Sequence, residues 1–114
     1  NGIYPDTGSS GTKVSNNLVY NLSHSGFNLN YGKEHEVYNN IIAFCRAGFS
    51  FGWYQTDSYT LNIHNNIVYL DRDESYPVEG PVLNDDVTNY FDKNIYYKTG
   101  NHDITINGLS FEQW

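Results

Sequence analysis

Four short segments of the chain repeat one pattern, and that repetition constrains the fold more than any other feature. They are T-K-V-S-N-N-L-V-Y-N (residues 12–21), H-E-V-Y-N-N-I-I-A-F (35–44), L-N-I-H-N-N-I-V-Y-L (61–70) and N-Y-F-D-K-N-I-Y-Y-K (89–98). Each has an apolar residue two places before a doublet: Val14, Val37, Ile63 and Phe91. Each has Asn at the second doublet position: Asn17, Asn40, Asn66 and Asn94. Each then runs into an apolar triplet. The four Asn are separated by 23, 26 and 28 residues, the length of one coil of a parallel β-helix. The pattern therefore predicts an all-β chain wound as a parallel β-helix of about four coils, a single domain over residues 1–114. An all-β sandwich also suits short strands between turns, but the shared phase of the four doublets favours the solenoid.

The repeat sets further expectations. Val14, Val37, Ile63 and Phe91 should point inward, with Leu18, Ile41, Ile67 and Ile95 as the next inward positions. Asn should occupy the bend, because it tolerates the left-handed conformation. Stacked coils should align the four Asn side chains in a ladder. Tyr20, Tyr69 and Tyr96 should form an aromatic stack. Residues 22–34, 45–60 and 71–88 read as insertions between bends, the third as an acidic loop off the coil. The tail from Gly108 to Trp114 reads as a C-terminal cap. No comparable N-terminal cap is visible, which suggests a fragment of a longer β-helix. Cys45 reads as a small buried hydrophobe.

Composition excludes several partners. Lys plus Arg number 6 against 13 Asp plus Glu, a net charge of −7. Phosphate binding needs clustered cations, so nucleic acid is not an expected partner. An anionic membrane surface is excluded on the same ground, and no apolar run nears the roughly 20 residues of a spanning helix. Aromatic residues at 17% do not fit a disordered chain.

In order along the chain stand G-I-Y-P-D-T-G-S-S-G, N-N-L-V-Y-N, H-S-G-F-N-L-N-Y-G-K-E-H, N-N-I-I-A-F, N-N-I-V-Y and G-L-S-F-E-Q-W. This series resembles the right-handed parallel β-helix carbohydrate-active enzymes, and most closely glycoside hydrolase family 141, which includes α-L-fucosidase and xylanase activities. The resemblance covers nearly the whole chain and corresponds to a C-terminal part of such a helix. It implies a right-handed coil, a carbohydrate substrate and an extracellular or periplasmic setting. Two stretches depart from the family. Asn28-Leu29-Asn30 stands where the family has His-Gln-His, and Tyr54 to Asp57 where it has an Arg and a Glu.

Glycoside hydrolysis needs two carboxyl groups flanking the scissile bond. Asp6, Glu34 and Asp57 are the candidates. Asp6 can equally cap the Gly8-Ser9-Ser10-Gly11 turn. Glu34 can equally be a surface carboxylate paired with Lys33 or His35, and Asp57 a solvated loop residue. His24, which matches the family's His, is a candidate for orienting a carboxylate or bonding a sugar hydroxyl. Tyr31, Trp53 and Tyr54 are candidates for stacking a sugar ring. No cofactor is expected from His or Cys spacing. The acidic Asp71-Arg72-Asp73-Glu74 and Asp85-Asp86 runs suit Ca²⁺ by ligand type, though a solvated acidic loop accounts for them as well. Self-association through open coil ends is the alternative to an enzyme.

Overall fold

The computed structural model describes residues 1–52, 60–80, 88–100 and 103–114. They form thirteen strands, and among them there is no helix. The chain visits three parallel sheets in rotation, the arrangement expected of a parallel β-helix. The first sheet has the order β1 (Lys13–Ser15), β4 (Glu36–Tyr38), β7 (Thr60–His64) and β10 (Thr88–Asp92). The second runs β2 (Leu18–Tyr20), β5 (Ile41–Ala43), β8 (Ile67–Leu70) and β11 (Ile95–Lys98). The third runs β3 (Ser25–Leu29), β6 (Ala47–Phe51) and β9 (Tyr76–Glu79). The stretches read as insertions thus carry the third sheet, and Tyr76–Glu79 is a strand within the one expected to bulge away as a loop. Residues 81–87 lie outside the described residues.

The register matches the repeat. Val14 pairs with Val37, Val37 with Ile63, and Ile63 with Phe91. The first three are buried and Phe91 is half-buried. The second inward row differs from the expectation. Leu18, Ile41, Ile67 and Ile95 are 63%, 44%, 40% and 60% exposed, while Ile42 and Val68 are buried at 1% and 0%. The bend explains the shift. The first doublet residue, Asn16, Asn39, Asn65 or Lys93, takes φ between 53° and 59°, the left-handed region. That residue turns the corner, so side-chain alternation restarts after it. The left-handed role thus falls to the first doublet residue, and the ladder to the second.

The ladder is continuous. Asn17 Nδ2 donates to Asn40 Oδ1 at 2.9 Å, Asn40 Nδ2 to Asn66 Oδ1 at 3.0 Å, and Asn66 Nδ2 to Asn94 Oδ1 at 3.0 Å. The backbone N–H of each upstream Asn donates to the same oxygen at 3.0–3.1 Å. The amides also donate to backbone carbonyls: Asn40 to Val14, Asn66 to Val37 and Asn94 to Ile63. Asn66 is fully buried and Asn40 nearly so, so these bonds satisfy corner groups that water cannot reach.

The aromatic residues do not form the expected single stack. Tyr69 stacks on Tyr97, with centroids 5.3 Å apart, and Tyr20 lies in register with Ala43. Tyr96 belongs to the inward row with Val68. Cys45 is buried and free. At the C-terminus, β12 (Thr105–Ile106) and β13 (Leu109–Ser110) form an antiparallel hairpin. Asn107 and Gly108 both have positive φ, as a two-residue Asn-Gly turn requires. Trp114 then packs edge-on against Phe91 (5.2 Å) and Tyr96 (6.2 Å), covering the last inward row.

Candidate functional site

The end of the third sheet presents the first sequence-selected carboxylate. Ile3 bridges to Phe27 in parallel, and Asn30 N–H donates to Pro5 O at 3.2 Å. Residues 2–5 therefore run along the outer edge of β3 and bring Asp6 beside Asn30. Asp6 Oδ1 accepts from the Thr7 N–H at 2.8 Å, from the Thr7 hydroxyl at 3.3 Å and from Asn30 Nδ2 at 2.9 Å. These bonds, that from the Thr7 backbone foremost, hold the carboxyl below the usual Asp range. Asp6 is exposed, so its charge meets solvent and any ligand there. Its carbonyl accepts the Ser9 N–H at 3.0 Å and closes the turn. The capping role weighed from sequence is therefore present together with an ionised, outward carboxylate.

The following stretch runs beside the next round. Gly8 N–H donates to Tyr31 O at 3.0 Å, and Gly11 N–H to Lys33 O at 3.1 Å. Tyr31, 37% exposed, and Glu34, also exposed, both have positive φ (55° and 58°). Tyr31 thus follows Asn30 directly at this corner, and Glu34 lies farther along the same round, near Gly11. His24 lies elsewhere. The whole of β3 separates it from Asn30, roughly 16 Å for five residues at about 3.3 Å each. Its carbonyl accepts the Arg46 N–H at 2.9 Å. Asp57, Trp53 and Tyr54 lie outside the described residues.

Two residues here escaped the sequence reading. Asn30 is the side chain that anchors Asp6. Its signal was the register itself, since Asn30 occupies the place in its round that Asp6 occupies in the previous one. The other is His35, which is buried (1% exposed) although it stands between two glutamates. Its Nδ1 accepts the Thr12 N–H at 3.3 Å, so the ring proton sits on Nε2, 3.5 Å from Ser9 Oγ. A proton on that nitrogen prevents His35 from acting as a base on Ser9, so the pair is not a nucleophile and its activator. Burial depresses the His35 pKa and keeps the ring neutral.

Among the described residues no group of three His, Cys, Asp or Glu side chains is placed to hold a metal. Asp71 pairs with Arg72 at 3.6 Å, Asp73 and Glu74 are exposed, and Asp85 and Asp86 lie outside the described residues. Comparison of the chain with family models, with curated proteins and with solved structures yields no match.

Proposed function

We propose that the chain forms the C-terminal coils, about four of them, of a right-handed parallel β-helix glycoside hydrolase acting on plant or microbial glycans. The observation that supports it is Asp6: an exposed carboxylate, kept ionised by three hydrogen bonds and fixed by Asn30 from the next round. A depressed pKa suits the nucleophile or general base of glycoside hydrolysis, not the acid, which must hold its proton until the leaving oxygen takes it. Asp6 would attack the anomeric carbon or take a proton from the attacking water. Glu34 or Asp57 would protonate the glycosidic oxygen, and Tyr31 would face the sugar ring. The separation of the two carboxyls sets the outcome: roughly 5–5.5 Å for retention and 6.5–9.5 Å for inversion.

The test is sugar release from fucosides, xylans and pectins. Asp6→Asn keeps an oxygen for the Thr7 N–H and removes the charge. It should lower the rate roughly 10²–10⁴-fold with the fold intact. Release that is absent from all three substrates, or equal in parent and variant, would reject the hydrolase.

A second reading is a non-catalytic, carbohydrate-binding or structural solenoid that assembles through its open end. It is favoured by the outer edges of β1 and β2, which have no neighbouring strand among the described residues. Light scattering after size exclusion separates the two. Growth with concentration supports assembly, and a constant monomer mass rejects it.

A further inference from the structure

A cleft of mixed polar and apolar lining lies away from the Asp6 corner, between β9 and the C-terminal hairpin. It is open to solvent and has a volume of about 370 Å³, within the range of small-molecule sites. Arg46 and Glu79 line it as a fork-to-fork pair. Nη1 donates to Oε1 at 2.8 Å and Nη2 to Oε2. Their side chains are 31% and 37% exposed, so the pair is fixed but within reach of a ligand. Tyr76, 39% exposed, lines the same cleft, and the hairpin contributes Thr105 and Asn107.

These groups select a chemistry. A bidentate pair cancels its own charge but keeps the Nε–H, the outer guanidinium hydrogens and the outer carboxylate lone pairs. Donors and acceptors then stand side by side in one plane, as neighbouring hydroxyls of a sugar require. The Thr105 hydroxyl and the Asn107 amide each add both functions. The Tyr76 ring offers an apolar face for the C–H side of a pyranose. An anionic ligand fits poorly. Arg46 is already neutralised by its bidentate bond to Glu79. The chain itself carries a net charge of −7.

We propose that this cleft binds a neutral pyranose unit of a glycan. The inference rests on the carbohydrate reading given above and adds a subsite to it.

The experiment is a chemical-shift titration of the chain with a neutral xylo-oligosaccharide and, separately, with oligogalacturonate. Saturable shifts are expected at Thr105, Asn107 and Gly80 with the neutral sugar. Tyr76→Ala should weaken its binding roughly tenfold, the loss of one aromatic stacking contact. Thr105→Val should weaken it by a smaller factor, and Tyr20→Ala, on another sheet, should not change it. Unchanged affinity in both Tyr76→Ala and Thr105→Val overturns the proposal, as does tighter binding of oligogalacturonate. Shifts confined to Asp6, Asn30 and Tyr31 overturn the cleft and leave the carbohydrate reading standing. Absence of shifts with either sugar overturns the cleft, and if a fucoside titrated in the same way also gives none, the carbohydrate reading falls with it.

Discussion

Replacing Asn66 by Ala is the perturbation that the ladder makes most costly. The Asn66 side chain is fully buried, accepts two hydrogen bonds from Asn40 and donates to Val37 O at 2.9 Å and Asn94 Oδ1 at 3.0 Å. Its removal leaves the Asn40 backbone N–H without an acceptor in a site closed to water. The Asn40 amide keeps Val14 O and Tyr38 O, so its loss is partial. Val37 O loses a donor. At about 1–3 kcal/mol per buried group left unmade, the sum is about 3–5 kcal/mol. Asn17→Ala is the internal control. Asn17 is exposed, so water replaces what is lost, and the cost should stay at ~1 kcal/mol. Thermal unfolding by circular dichroism reads the difference: roughly 10–20 °C in Tm for Asn66→Ala against a few degrees for Asn17→Ala. Equal shifts would refute the reasoning, because burial of the amide would then have no energetic consequence.

Two further outcomes follow from the same structure. Ile42→Ala should cost about 2–5 kcal/mol and Ile41→Thr less than about 0.5, because only Ile42 faces the core; urea denaturation ranks them, and a reversed order would overturn the assignment of faces. For His35, burial depresses the folded pKa below the unfolded 6.5, so the unfolded chain binds more protons as the pH falls. Its contribution to stability is fully present above pH 6.5 and is lost as the pH falls from there through the folded value. Urea midpoints across that window should therefore drop on acidification, and His35→Gln should flatten the drop; an unchanged slope in the variant would exclude His35 as its source.

The doublets were legible because every round sets an Asn in the same local frame, with an apolar residue three places before it and an apolar triplet after it. Asn17, Asn40, Asn66 and Asn94 align in the sequence, and their bonding follows from stacking alone. Side-chain parity was not legible. Counting by twos from Val14 through the doublet reaches Leu18, but the left-handed Asn16 turns the chain and consumes a position. Val19, Ile42 and Val68 are inward for that reason. The third sheet was hidden because its strands share no doublet. What β3 and β6 share is a glycine before a phenylalanine, Gly26-Phe27 and Gly48-Phe49, and β9 lacks even that. A Cβ at Gly48 would stand 2.6 Å from Pro77 O and 2.7 Å from Val68 Cγ1, so the glycine admits the next strand of its sheet and a core side chain together. At the candidate corner, Asp6 was legible as a residue type before a turn. Its tie to Asn30 depended on register across the coil, and the burial of His35 on a corner that its charged neighbours conceal.

The Asn ladder also gives the stack a polarity. Each ladder oxygen from Asn40 onward accepts from the round before, while the Asn40 and Asn66 amides donate both onward to the next Asn and back to a backbone carbonyl of the preceding round, so it is the oxygens that give the column its sense. Such a column places no limit on its own length. A whole round could be inserted or removed, and the rounds left in contact would still meet donor to acceptor. A round turned end for end would set oxygen against oxygen. In a molecule of this kind the number of rounds is free to vary, while their sense is fixed by a single side chain repeated at each corner.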